Sequence, residues 1–252
     1  MSRDTETVQS TDRRSWKGLI AQPLVIAAFL IGIVIWLLNA DLSKTEQVTL
    51  APANLWDLTW QHLELTVVSA VVVLVIAIPL GILLTRRPFR KLNTPVLAVA
   101  NMGQAAPPVG IVVLLAFWLG FGFKATVLAL IFYALLPVLR NTMVGLDAVD
   151  PRVIEAARGM GMSNAAVLLK VELPLAVPVM LAGIRTALVL LVGTATLGTF
   201  IDGGGLGLLI TTGVNLALNR VLITGSLLVA LLALTVDWVA RVFEEVARPK
   251  GL

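Results

Sequence analysis

The chain has 252 residues, of which 58% are hydrophobic and only 13% charged, with a mean hydropathy of +0.94 and a formal net charge of +4. Soluble domains carry about 25% charged residues, so a soluble fold of this composition would expose large apolar patches, and the bilayer is the natural solvent. The absence of cysteine excludes disulfides, thiolate metal sites and a cysteine nucleophile. The net positive charge does not point to nucleic acid, because the basic residues are spread between hydrophobic runs, which is a topology signal.

Residues 1–22 read as a polar N-terminal tail. A membrane helix needs about 20 mainly apolar residues, and the first candidate, 24–38, is short. A long polar lead and the lack of a small-residue cleavage site favour an uncleaved anchor over a signal peptide. This helix and its outer loop make up residues 23–59. His62, the only histidine, and Glu64 follow, read as interfacial polar residues, since no other metal ligands lie nearby in sequence. The second span, 65–84, contains Pro79. The third, 95–119, is interrupted at Gly103 to Pro108. Gln104, Pro107 and Pro108 there either line a translocation pathway or mark a packing kink, because broken backbone is tolerated in a membrane where it faces protein or a cavity. The fourth span, 125–144, contains Pro137.

A polar stretch follows at 146–174. Asp150 and Pro151 suit a helix start, so 151–160 reads as a short helix. Gly159 and Gly161 permit a tight exit. Ser163 can cap a second helix over 164–172, with Val167, Leu168 and Val171 at helical spacing, and Pro174 is expected to stop it where the fifth span, 175–200, begins. The run Gly203 to Gly207 lacks the Gly-Lys-Ser/Thr of a nucleotide-binding loop. It reads as a turn into a short re-entrant or surface helix, with a gate or a partner contact as the alternative. The sixth span is 221–242, and 246–252 is a tail.

Charge sets the orientation. Arg3, Arg13, Arg14, Lys17, Arg86, Arg87, Arg90, Lys91, Arg140, Arg152, Arg158, Lys170, Arg241, Arg248 and Lys250 fall on one side, against Lys44, Lys124 and Arg220 on the other. Positive-inside bias places both termini and 146–174 in the cytoplasm, and an odd number of spans would destroy the pattern. Arg185 and Asp237 lie within spans, where ionisable groups face a partner or a cavity. A structural ion pair is preferred over a substrate contact, with Arg241 one turn beyond Asp237 as a second neutralising group. The tryptophans, Trp16, Trp36, Trp56, Trp60, Trp118 and Trp238, fall mostly near span ends, as an interfacial belt does.

Spacing alone leaves 146–174 open between a linker helix lying on the membrane and a docking element. Glu155, Ala156 and Ala157, then Gly161, then Leu173 and Pro174, resemble the EAA motif of permease subunits of binding-protein-dependent ABC importers, with Val171 where the motif usually has isoleucine. Arg140-Asn141-Thr142, Gly145-Leu146, Val149-Asp150-Pro151, Gln104 with its prolines, and Gly193-Thr194-Ala195-Thr196-Leu197 before the glycine run are similar to the osmoprotectant branch, which imports glycine betaine, choline or carnitine. The resemblance covers about 60–245.

It implies an all-α membrane protein of the type I ABC importer permease fold, with about six transmembrane helices and a cytoplasmic coupling helix-turn-helix. Glu155, Ala156, Ala157, Arg158, Gly161, Leu173 and Pro174 would dock the ATPase, the small alanines allowing close approach. The implied partners are two ATP-binding subunits carrying ATP and Mg, a second identical or related permease, an extracytoplasmic solute-binding protein and membrane lipid. This chain would be non-catalytic, without a cofactor, and placed in the bacterial inner membrane. The rivals are an amino-acid permease of the same class and a transporter or channel working alone.

Overall fold

A computed structural model describes residues 16–247. The remaining parts of the two expected tails, with Arg3, Arg13, Arg14, Arg248 and Lys250, lie outside the described residues. Within them the chain is helical, with no strand. Helix α1 spans Trp16–Leu38, so it starts ahead of the expected boundary at 23. After it come α2 (Lys44–Thr49), α3 (Pro52–Thr85), α4 (Asn93–Ala105), α5 (Pro108–Leu119), α6 (Phe123–Asp147), α7 (Pro151–Gly159), α8 (Asn164–Val167), α9 (Leu173–Ala195), α10 (Gly207–Asn215) and α11 (Asn219–Ala247). Helices α1, α3, α6, α9 and α11 are long and apolar enough to cross a membrane, and α4 and α5 form a pair bent by 100°.

Whether that pair crosses follows from its ends. The end of α3 is tied to the segment before α9 by Arg86, whose Nη1 donates to Glu172 Oε1 at 3.2 Å. The start of α6 is tied to the far end of the α9 rod, where Gly122 N donates to Ile201 O. The α4–α5 pair therefore joins opposite ends of the bundle and makes one broken crossing, giving six. Pro107 and Pro108 have no N–H, so the carbonyls of Gly103 and Gln104 lose their helical donors, and the helix breaks there. The break lies level with the middle of α6: the Tyr133 hydroxyl donates to Ala106 O, and Gln104 Nε2 approaches Tyr133 O at 3.5 Å.

α6 is the hub, with α3, α4, α5 and α9 all packed against it. Lipid supplies no hydrophobic drive between helices, so small residues that let backbones close in decide the contacts. Gly183 is such a point: a Cβ there would lie 2.4 Å from Asn141 Cβ and 2.7 Å from Pro137 O. Ala77, Ala134, Ala187 and Ala195 pack with Leu65, Leu139 and Leu191 in the same core. α1 runs antiparallel to α11, burying Ile26 and Ile33 against Leu231. It is pinned at one end by Trp238 Nε1 donating to Leu19 O and at the other by Arg220 donating to Asp41 O.

One sequence expectation fails. Pro174 does not stop the second loop helix; residues Asn164–Ile201 form one helical rod of 38 residues. Residues Leu168–Glu172 widen into a π turn, and Leu173 N donates to Leu168 O, five residues back. In an α-helix the Pro174 ring would strike the carbonyl four residues earlier, and the wider turn removes that clash.

Candidate functional site

The stretch between α6 and α9 is built by local chemistry. Asp150 accepts from Arg152 N at 2.9 Å, and Pro151 fills the first turn of α7. At the other end Gly161 has φ +84°. Its N–H donates to Arg158 O at 2.9 Å while Met162 N donates to Ala157 O at 3.2 Å. This pair of bonds closes a helix end through a left-handed residue. Gly161, not the helical Gly159, is the required glycine. Ser163 then accepts from Ala166 N at 3.3 Å and starts α8.

The loop presents Glu155, Ala156 and Arg158 to the outside, with Val153 and Met160 exposed beside them, Met160 at 77%. Val153, Ala156 and Met160 fall at the i, i+3, i+7 spacing of one helix face. Ala157 corrects the expectation of two docking alanines: it is buried at 2% within its own chain and faces inward, because successive helix residues point about 100° apart. Leu173 is turned inward as well, packing with Leu146, Ala176, Met180, Ile78 and Ile82, and with the half-buried Pro174 it roots the loop in the bundle. Sequence reasoning missed Glu172. It is buried at 4% and held by Nη1 and Nη2 of Arg86; an acid beside Leu173-Pro174 at the membrane edge was the available signal.

Deeper in the bundle, Arg185 Nε donates to Asp237 Oδ1 at 2.5 Å, and Arg241 Nη2 lies 3.4 Å from Asp237 Oδ2. Gln22 of α1 also donates to Asp237, at 3.2 Å, and Glu244 is 3.9 Å from Arg185. The expected ion pair is present, and α1 joins it. Gln104 is half-buried at the break, whereas Pro107 and Pro108 are exposed, and no hydrogen bond or ion pair among the described residues links the three to Arg185 or Asp237.

His62 is not interfacial. It is fully buried; Nε2 lies 2.9 Å from Val192 O and Nδ1 3.2 Å from Leu206 N. Its neighbour Gln61 accepts from Gly205 N at 3.1 Å. The glycine run is thus a backbone laid against α3 and the turn Thr196–Ile201 after α9: a Cβ on Gly204 would lie 2.5 Å from Gln61 Oε1, and one on Gly207 2.1 Å from Thr196 O. Trp56, Trp60 and Trp118 are exposed, as a belt requires, and Trp36 is partly so. Among the described residues no cluster of three His, Asp or Glu could hold a metal ion.

Comparison with known proteins gives a consistent result. Residues 77–248 match the family model described as binding-protein-dependent transport system inner membrane component. The chain is 39% identical to the glycine betaine/carnitine/choline transport system permease protein OpuCB of Bacillus subtilis, over 77% of this chain and 88% of that one. It is 38% identical to the osmoprotectant import permease protein OsmW of Salmonella typhimurium, over 78% of this chain and 93% of that one. A chain of the inward-facing MetNI methionine ABC transporter shares the fold, with a TM-score of 0.70 at 24% identity over 82% of this chain and all of that one.

Proposed function

The chain belongs to the family of binding-protein-dependent transport system inner membrane components, and from that premise we propose that it forms the translocation pathway for a glycine betaine, choline or carnitine type osmoprotectant. The observation that carries the solute class is the 35–39% identity to permeases named for those solutes over three quarters of the chain. The likeness to a methionine transporter, at 24–26%, keeps an amino-acid permease as the second reading.

In this reading the chain hydrolyses nothing. ATP and Mg sit on two separate subunits, a second identical or related permease completes the pathway, and an extracytoplasmic protein delivers solute. The termini and α7 lie on the cytoplasmic side of the bacterial inner membrane. Glu155, Ala156 and Arg158, with Val153 and Met160, make the docking face, while Ala157, Gly161, Leu173 and Pro174 hold its shape. Closure of the ATPases draws the α7 loops together. The continuous rod from α8 to Ile201 carries that displacement through the membrane as rigid-body rocking. The break at Gln104, Pro107 and Pro108 lines the pathway, and Arg185 with Asp237 serves packing.

The test is uptake into proteoliposomes holding the permease, its ATPase and its binding protein. Glycine betaine, choline or carnitine is expected to accumulate only with ATP. Accumulation of methionine instead would select the second reading, and ATP-independent flux through the permease alone would overturn both. Replacing Glu155 should lower ATPase association without affecting insertion.

A further inference from the structure

The end of the bundle opposite α7 holds a joint that the transport reading does not use. Three elements meet at one imidazole. α9 gives way to a 3-10 turn at Thr196–Ile201, so the last carbonyls of the α-helix lose their regular donors, and Val192 O is one that lies 2.9 Å from His62 Nε2. The start of α10 has free N–H groups for the same reason. Gly205 N and Leu206 N donate to Gln61 Oε1 and His62 Nδ1. Adjacent residues of α3 thus cap a helix distant in sequence, and the positive φ of Gly204 and Gly205, +82° and +88°, lets the backbone reach them. A ring nitrogen that accepts from Leu206 N–H carries no proton, so the ring is neutral with its hydrogen on Nε2, donating to Val192 O.

We propose that His62 is a positioning residue of the transport cycle, making α10 move as one body with α3 and α9. The two rods are already clamped at the α7 end by Arg86 and Glu172. His62 clamps them at the other end and adds α10, so displacement of the rods reaches α10 without slack. A proton on Nδ1 would leave two donors facing each other across 3.2 Å, and α10 would come free while the α9 contact stays. No ionisable side chain of the packed elements is bonded to the ring. On α3, Asp57 and Glu64 are exposed, as is Asp202 after the 3-10 turn. On α9, Arg185 is paired with Asp237. α10 has no ionisable residue, and Arg220 and Glu46, behind the residues packed on Leu206, face one another at 3.6 Å.

The proposal rests on the importer reading, and its test has an arm that does not. The chain has no native cysteine, so Glu64→Cys and Leu208→Cys place two spin labels on α3 and α10 of the full chain in lipid nanodiscs. The distance distribution of wild type should be narrow at about pH 7.5. His62→Asn, whose Oδ1 sits where Nδ1 was, should stay narrow. His62→Gln, which reaches Val192 but cannot accept from Leu206, should be broad.

In the second arm the complete importer is reconstituted. His62→Gln should lower solute moved per ATP hydrolysed by about tenfold, the worth of one lost buried hydrogen bond. His62→Asn should keep the wild-type ratio. Identical label distances in all three forms, or unchanged solute per ATP in His62→Gln, would overturn the proposal. If the label arm holds while wild type moves no osmoprotectant at any pH, the importer reading has failed and the joint stands.

Discussion

Gly161 shows how much a single residue decides. Its φ of +84° lies in open space, with no atom within 4 Å of an added Cβ, so only backbone preference selects glycine. Gly161→Ala should therefore cost about 1–2 kcal/mol, seen as faster proteolysis of the loop, while Gly161→Asn should cost less because asparagine tolerates that conformation. Asp237 is a different case. Removing Arg185 leaves a carboxylate that is 17% exposed without its closest partner. The cost should be about 2 kcal/mol, below the value for a fully buried pair because solvent reaches Arg185. Arg185→Leu should lower the thermal midpoint of the purified permease, and Arg185→Leu with Asp237→Leu should restore most of it. Failure of the double variant to recover would argue for a role beyond packing. The sequence held both residues as a pair. It could not show Gln22 beside them, since contact across so many residues is a product of α1 lying antiparallel to α11.

Among the elements, α6 and α9 depend on close approach. Gly183→Ala should lower the thermal midpoint, because the new Cβ meets Asn141 and Pro137 O below 3 Å and overpacking costs about 1–3 kcal/mol. Gly193→Ala, on the same helix with nothing within 4 Å, should be neutral or raise the midpoint through helix propensity. Equal effects would count against the packing account. The short α2 is held by a different device. Glu46 accepts from Ser43 N at 2.9 Å and faces Arg220. The Ser43 N–H, then its hydroxyl and Arg220, hold the carboxyl below its ordinary range against a contrary effect of burial. A lowered folded value means this contribution is full above the ordinary carboxylate range and is lost as pH falls through the lowered value. The protection factors of the α2 amides, hydrogen exchange corrected for its intrinsic pH dependence, should fall there in wild type and stay constant in Glu46→Gln.

At the scale of the whole molecule, the six crossings make a side-specific prediction. Single cysteines at Arg90 and Glu155 should be shielded from an impermeant maleimide added to intact cells, and cysteines at Lys124 and Asp202 should react. Reaction of all four, or of the first two alone, would invert or abolish the topology. The crossing count needs the bent pair to join opposite ends, which the bonds of Arg86 and of Gly122 establish.

The sequence by itself determined the membrane class, the places of the spans, the break at Gly103 to Pro108 and the capped helix after Asp150. Each of these is a local consequence of hydropathy, of missing N–H groups or of capping side chains, and so can be read within a few residues. The Glu155 to Pro174 pattern pointed to the family only through its resemblance to a known motif. Only the tertiary structure decided that Ala157 faces inward, that the loop's second helix runs through Pro174 into α9, and that His62 is buried. Those outcomes depend on groups far apart in the chain: Glu172 meets Arg86, and His62 meets Val192 and Leu206. Buried polar groups take whatever partner the fold brings to them, since leaving them unpaired costs more than any local preference, and no local pattern names that partner.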